Sequence, residues 1–242
     1  MTENIQCCFK RYEKKYRLTR EQQRIILNGM RDHMQADKFG QYTICNIYYD
    51  TDDWQLIRTS IEKPVYKEKL RVRSYGVPDD KGKVFVELKK KYDGVVYKRR
   101  ITTAPETAME LLNGSSESGD FGQIGREIEW FQSFYKTSPK VFIGYDRLAF
   151  AGTEEPELRI TFDTDLRFRT CELDLRLGDH GALILPHDEV LMEIKIPGVC
   201  PMWLSELLSE AGAFPTSFSK IGWCYKNNIL KQDVKKEELS CA

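Results

Sequence analysis

Residues 69–73 read KLRVR and residues 85–91 read FVELKKK. Both alternate apolar and charged residues. Successive side chains of a β-strand point to opposite faces, so each stretch buries one face and makes the other ionic. Lys69, Arg71 and Arg73 oppose Leu70 and Val72, while Glu87, Lys89 and Lys91 oppose Val86 and Leu88. The habit recurs in Arg11, Glu13 and Lys15, in Lys98 and Arg100, in Arg159, Thr161 and Asp163, and in Glu193 and Lys195. On these faces Lys and Arg outnumber Asp and Glu more than two to one, although the whole chain carries 37 of each.

Such faces have two possible destinations. They can be the solvated outer side of a half-buried sheet. Alternatively the sheet closes on itself with the charge inside and the apolar faces outward under helices. The interior is then a basic channel with a few carboxylates. Confined like charges destabilise a fold unless a counter-ion neutralises them. A polyanion with a divalent cation would do so, Arg gripping oxygens bidentately, Lys acting as a point charge and carboxylates holding Mg2+ or Mn2+.

The remaining pattern supplies the helices. Thr19 with Gln22 forms a capping box, and Ile25, Ile26, Met30 and Met34 predict a helix over about 20–35. Pro105 and Gly114 bound a helix over 105–113, IGREIEWFQSFYK a second, and Pro201 and Gly212 a third. Strands are expected at 9–18, 42–50, 65–76, 83–103 (a hairpin turning at 92–94), 140–150, 157–167, 171–177 and from 189 to Pro197. That gives eight or more strands, mostly antiparallel, in an α+β chain with no repeat or domain boundary, so one domain over 1–242 is expected.

Composition narrows the function. Seven cysteines without a C-x-x-C pair and three scattered histidines offer neither a disulfide framework nor a zinc site. Zero net charge argues against a nucleic-acid binder. No apolar run reaches the length of a membrane span and no signal peptide is visible, so a cytoplasmic location without membrane insertion is expected. The four tryptophans are expected in the core.

In order, RYEKKYRL, IYYDT, KLRVRSYG, VFVELKKK, YKRR, YDRLAF, ELRITFDTDL, LMEIKI and SFSKIGW resemble the triphosphate tunnel metalloenzymes, the CYTH superfamily, and within it the VTC domain. The resemblance covers about 8–228 and implies a closed antiparallel eight-stranded β-barrel, the triphosphate tunnel, with helices packed outside. It implies a polyphosphate polymerase that uses ATP and inorganic polyphosphate or triphosphate with Mn2+ or Mg2+. Lys15, Arg71, Arg73, Lys89, Lys98, Arg147, Arg159 and Lys220 would contact phosphates, Tyr145 would line the wall, and Glu193 would hold the metal. Lys69, Lys91, Arg100 and Lys195 share the same ionic faces and join the phosphate-binding set, and Glu87 joins Glu193 as a metal candidate. Arg11 stands where many members of the superfamily carry the first acid of Glu-x-Glu-x-Lys, which tilts the resemblance from hydrolase or cyclase toward the VTC branch. A triphosphatase and a non-catalytic polyphosphate binder remain alternatives. Export of a product would need a separate membrane partner.

Overall fold

The computed structural model describes residues 12–115 and 121–231, so Arg11 lies outside the described residues. The chain runs β1 (Tyr12–Thr19), α1 (Arg20–Gly29), β2 (Met34–Asp50), α2 (Gln55–Ile61), β3 (Tyr66–Tyr75), β4 (Val84–Tyr92) and β5 (Val95–Thr103). It continues with α3 (Pro105–Asn113), α4 (Gly122–Tyr135), β6 (Ser138–Gly152), β7 (Arg159–Arg169), β8 (Ala182–Leu183), β9 (Glu189–Ile196), α5 (Met202–Glu210), β10 (Pro215–Thr216) and α6 (Lys220–Cys224).

Hydrogen bonding orders the strands β10-β1-β9-β7-β6-β2-β3-β4-β5, with β8 added to β7. The expectation of eight strands in a closed barrel is corrected on both counts. There are ten described strands, and the terminal strands β10 and β5 do not pair with each other. A two-residue strand such as β10 offers too few backbone groups to continue a ladder.

The chain gathers into two compact units, each assembled from three separate segments. Of the described residues, the first comprises those within 12–42, 146–165 and 186–218, and the second those within 43–145, 166–185 and 219–231. In the first, β1 and β7 flank β9, all antiparallel. Tyr16, Leu18, Ile160, Phe162, Val190, Met192, Ile194 and Ile196 form its apolar face, covered by Ile26 of α1 and Leu204, Leu207 and Leu208 of α5. Gly29 permits that contact, because a Cβ there would lie 2.4 Å from Leu207 Cδ1. In the second, β2, β3, β4 and β5 form an antiparallel run. Its apolar face, Ile47, Leu70, Val72, Val84, Val86, Leu88 and Ile101, is covered by Ala108, Leu111 and Leu112 of α3 and Ile128 and Phe131 of α4. In each unit the helices lie over the apolar side of the alternation.

Three local expectations are corrected. Helix α1 stops at Gly29, not near 35. Met30 and Met34 are buried in the same core from a turn and from the start of β2, which continued the helical spacing past the helix. The segment 171–177 is not a strand: a single 3-10 turn occupies Leu175–Leu177, and Arg169 takes the carbonyls of Glu172, Asp174 and His180 that a ladder would use. Trp130 is 55% exposed on α4 rather than in the core.

Candidate functional site

Register decides which charges meet. Across the second unit, Asn46, Arg73 and Phe85 stand in one row, and Tyr48, Arg71, Glu87 and Arg100 in the next. Lys69, Lys89 and Lys98 then stand directly opposite one another on β3, β4 and β5, followed by Lys67 and Lys91. Like charges directly opposite in a sheet are unfavourable. On β3, β4 and β5 this face nonetheless carries Lys67, Lys69, Arg71, Arg73, Lys89, Lys91, Lys98 and Arg100 against one carboxylate, Glu87.

Glu87 organises the arginines. Its side chain is 1% exposed. Oε2 accepts from Arg71 Nε and Nη2 at 2.9 and 2.7 Å, and Oε1 accepts from Arg100 Nε at 2.8 Å and pairs with Lys98 Nζ at 2.7 Å. Burial pushes its carboxyl up, but Arg71, Arg73 and Lys98 outweigh burial and hold it well below the usual range. Burial pushes the Lys98 ammonium down to about 8, with Arg100 and Arg71 adding to the push and Glu87 opposing it.

Arg73 is held differently. It is 8% exposed and feels Glu87 through space, yet its hydrogen-bond partners among the described residues are neutral: Nε donates to Asn46 Oδ1 at 2.9 Å and Nη2 to the Tyr145 hydroxyl at 3.3 Å. Lys220 Nζ sits 4.4 Å from the centre of the same Tyr145 ring, within cation–π range. Lys69 donates to Ser219, the residue that caps α6 and precedes Lys220. Burial of a cation without direct carboxylate pairing is costly unless an anion completes it.

The first unit carries the carboxylates. Lys15, Glu193 and Thr161 form one row, and Glu13, Lys195 and Arg159 the next. Lys15 lies 3.2 Å from Glu13 and 3.6 Å from Glu193, and Lys195 lies 3.4 Å from Glu193. Arg147 grips both oxygens of the fully buried Asp163 at 2.6 and 2.8 Å. Arg159 is exposed, with no ion pair among the described residues.

A divalent ion fits the chemistry around Glu193. The Glu193 side chain is 11% exposed and faces Thr161, whose buried Oγ1 has no hydrogen-bond partner among the described residues. No described group of three or more His, Cys, Asp or Glu forms a metal cluster. Such an ion would draw its remaining ligands from phosphate oxygens and water, as Mg2+ commonly does.

The expected residues thus fall into two sets. Lys69, Arg71, Arg73, Glu87, Lys89, Lys91, Lys98, Arg100, Tyr145 and Lys220 belong to the second unit, and Lys15, Arg147, Arg159, Glu193 and Lys195 to the first. Asn46, Tyr48 and Ser219 were missed, and Thr161 was placed on an ionic face without a role. Tyr48 accepts from Arg71 Nη1 at 3.1 Å. The signal for Asn46 and Tyr48 was present in YTICNIYYD, where they alternate with Cys45, Ile47 and Tyr49 and so occupy the face opposite the core.

The profile of the VTC domain matches residues 10–227. No curated protein matches the chain. Among solved structures, a proposed adenylyl cyclase from Hippeastrum, described as having a dominant triphosphatase activity, superposes with a TM-score of 0.52 at 16% identity, over 86% of this chain and 92% of that one. A proposed adenylate cyclase from Vibrio parahaemolyticus gives 0.47 at 13% identity, over 88% of this chain and 96% of that one. The first likeness is one of fold. No described helix is long and apolar enough to cross a membrane.

Proposed function

Because the chain belongs to the VTC domain family, we propose that it is a polyphosphate polymerase, transferring the γ-phosphoryl of ATP to the end of an inorganic polyphosphate chain. The observation that carries this reading is the second unit's cationic face, where Lys69, Lys89 and Lys98 are aligned against one another and the buried Arg73 hydrogen-bonds only neutral groups among the described residues. That arrangement asks for a multivalent anion.

The chemistry needs little else from the protein. A terminal phosphate oxygen, already anionic, attacks Pγ as the bond from Pγ to the bridging oxygen breaks, and ADP leaves with that electron pair. No catalytic nucleophile or base is required. What is required is alignment of two mutually repelling anions and stabilisation of charge on the transferring group. Arg71 and Arg73 hold phosphoryl oxygens, while Lys69, Lys89, Lys91, Lys98, Arg100 and Lys220 neutralise the chain. Within the first unit, Lys15, Arg147, Arg159 and Lys195 are the candidate phosphate contacts. Glu87 enters as the group that fixes the arginines, since its oxygens are engaged by three cations. Glu193, aided by Glu13, would hold Mn2+ or Mg2+, which when bound neutralises phosphoryl charge as a Lewis acid.

The second reading is a triphosphatase, favoured by the activity described for the Hippeastrum protein. It uses the same groups with water as acceptor. Purified protein incubated with ATP and Mn2+, with products resolved on a gel, separates the readings. A polymer ladder supports the polymerase, free phosphate alone the triphosphatase, and unchanged ATP a binding module. Arg71→Ala and Glu193→Ala are each expected to lower turnover by about 100-fold, the scale of losing one transition-state charge contact. Wild-type rates in either variant reject that residue's assignment.

A further inference from the structure

We infer that Asn46 is a positioning residue whose neutral amide fixes the Arg73 guanidinium without neutralising it, leaving that charge for a phosphate. The inference rests on the proposed anion site and adds to it the requirement that position 46 be uncharged.

Asn46 is 0% exposed and directly opposite Arg73 in the β2–β3 register. Its Nδ2 donates to the Ile143 carbonyl at 3.0 Å, which sets the orientation of the amide. Oδ1 is thereby turned to Arg73 Nε at 2.9 Å. Tyr145, the other partner, is a neutral hydroxyl. Arg71, Arg100 and Arg147 on the ionic faces are instead paired with carboxylates. Arg169 is also buried against neutral acceptors, but it donates to three carbonyls and stacks 3.8 Å over the Phe142 ring, so its donors are largely spent. A guanidinium has five N–H donors. Arg73 uses two of them in these contacts, which leaves a charged, directed and unspent donor set.

A carboxylate at position 46 would have the same shape as the amide and would reach the same nitrogen. It would form a buried ion pair and compete with phosphate for Arg73. The sequence therefore needs an acceptor there that is strong enough to orient the arginine and too weak to quench it.

Titration calorimetry of the full chain with inorganic tripolyphosphate tests this in a double-mutant cycle with Arg73→Ala. Asn46→Asp is expected to weaken binding by at least about tenfold in the wild-type background and by less than about twofold with Arg73→Ala, because residues acting through one another are not additive. Asn46→Ala, which removes the acceptor without adding a charge, is expected to weaken binding less than Asn46→Asp. A merely structural role weakens binding alike in both backgrounds, because either variant loses the Nδ2 bond to the Ile143 carbonyl. Should Asn46→Asp not fold, the same cycle is read with Asn46→Ala, whose effect must disappear with Arg73→Ala. Binding by Asn46→Asp within twofold of wild type, or equal losses in both backgrounds, overturns the inference and leaves the anion site standing. Failure of the wild-type chain to bind tripolyphosphate overturns the site itself, and the inference falls with it.

Discussion

Lys98 shows what one residue's environment does to both stability and binding. Its side chain is 41% exposed, its ammonium pairs with Glu87, and burial pushes that ammonium down to about 8 from an ordinary 10.5. Between those values the unfolded chain holds a proton that the folded chain has released. Stability from this group therefore rises with pH across about 8 to 10.5 and is lost as pH falls through 8. Phosphate binding has the opposite sign, because it needs the protonated form. Tripolyphosphate affinity is expected to fall above pH 8, by up to about tenfold per pH unit, and binding near pH 8.5 should take up a proton from buffer. Calorimetry in buffers of different ionisation enthalpy measures that uptake. Lys98→Arg should flatten the alkaline limb, and an unchanged limb in that variant would move the titration to another group.

At the scale of elements, the informative unit is a row across strands. Lys69, Lys89 and Lys98 repel one another across β3, β4 and β5 in the free protein. Lys89→Gln is expected to raise unfolding stability by about 0.5–1 kcal/mol, the scale of a cross-strand pair, while weakening tripolyphosphate binding. Urea denaturation and calorimetry on the same preparation read both, and a variant that loses stability as well as affinity contradicts the row's strain. The alternation that makes this row was legible in the sequence because it repeats every two residues and needs no knowledge of partners. Strand pairing was less legible. Nothing in KLRVR and YKRR says that Lys69 and Lys98 flank Lys89, since register is set by the turns between strands. The polar start of β2 was missed because residues 35–41 are largely exposed and show no alternation. The 171–177 segment misled because the side chain of Arg169, just before it, takes the carbonyls of Glu172 and Asp174.

For the whole molecule, zero net charge conceals a division of labour. The second unit's ionic face is almost wholly cationic. The first unit's face sets Lys15, Arg147, Arg159 and Lys195 beside Glu13, Asp163 and Glu193. Composition could not reveal this, because sums over the chain discard position, and the face assignment appeared only once strands were read one face at a time. Under the proposed function, the division separates two physical tasks. Fixed side-chain charges such as Arg71, Arg73 and Lys89 attract a phosphate chain whether or not a metal is present. Under the proposed function, turnover also needs charge from a divalent ion, which Glu193 would hold. Chelation with EDTA is therefore expected to abolish turnover of ATP while leaving tripolyphosphate affinity within about tenfold, with binding still weakening as salt screens the side-chain charges. Glu193→Gln should mimic chelation, losing turnover and its response to added Mn2+ while still binding tripolyphosphate. Loss of tripolyphosphate binding on chelation would mean that the metal, not the arginines and lysines of β3, β4 and β5, is the principal anchor of the phosphate chain.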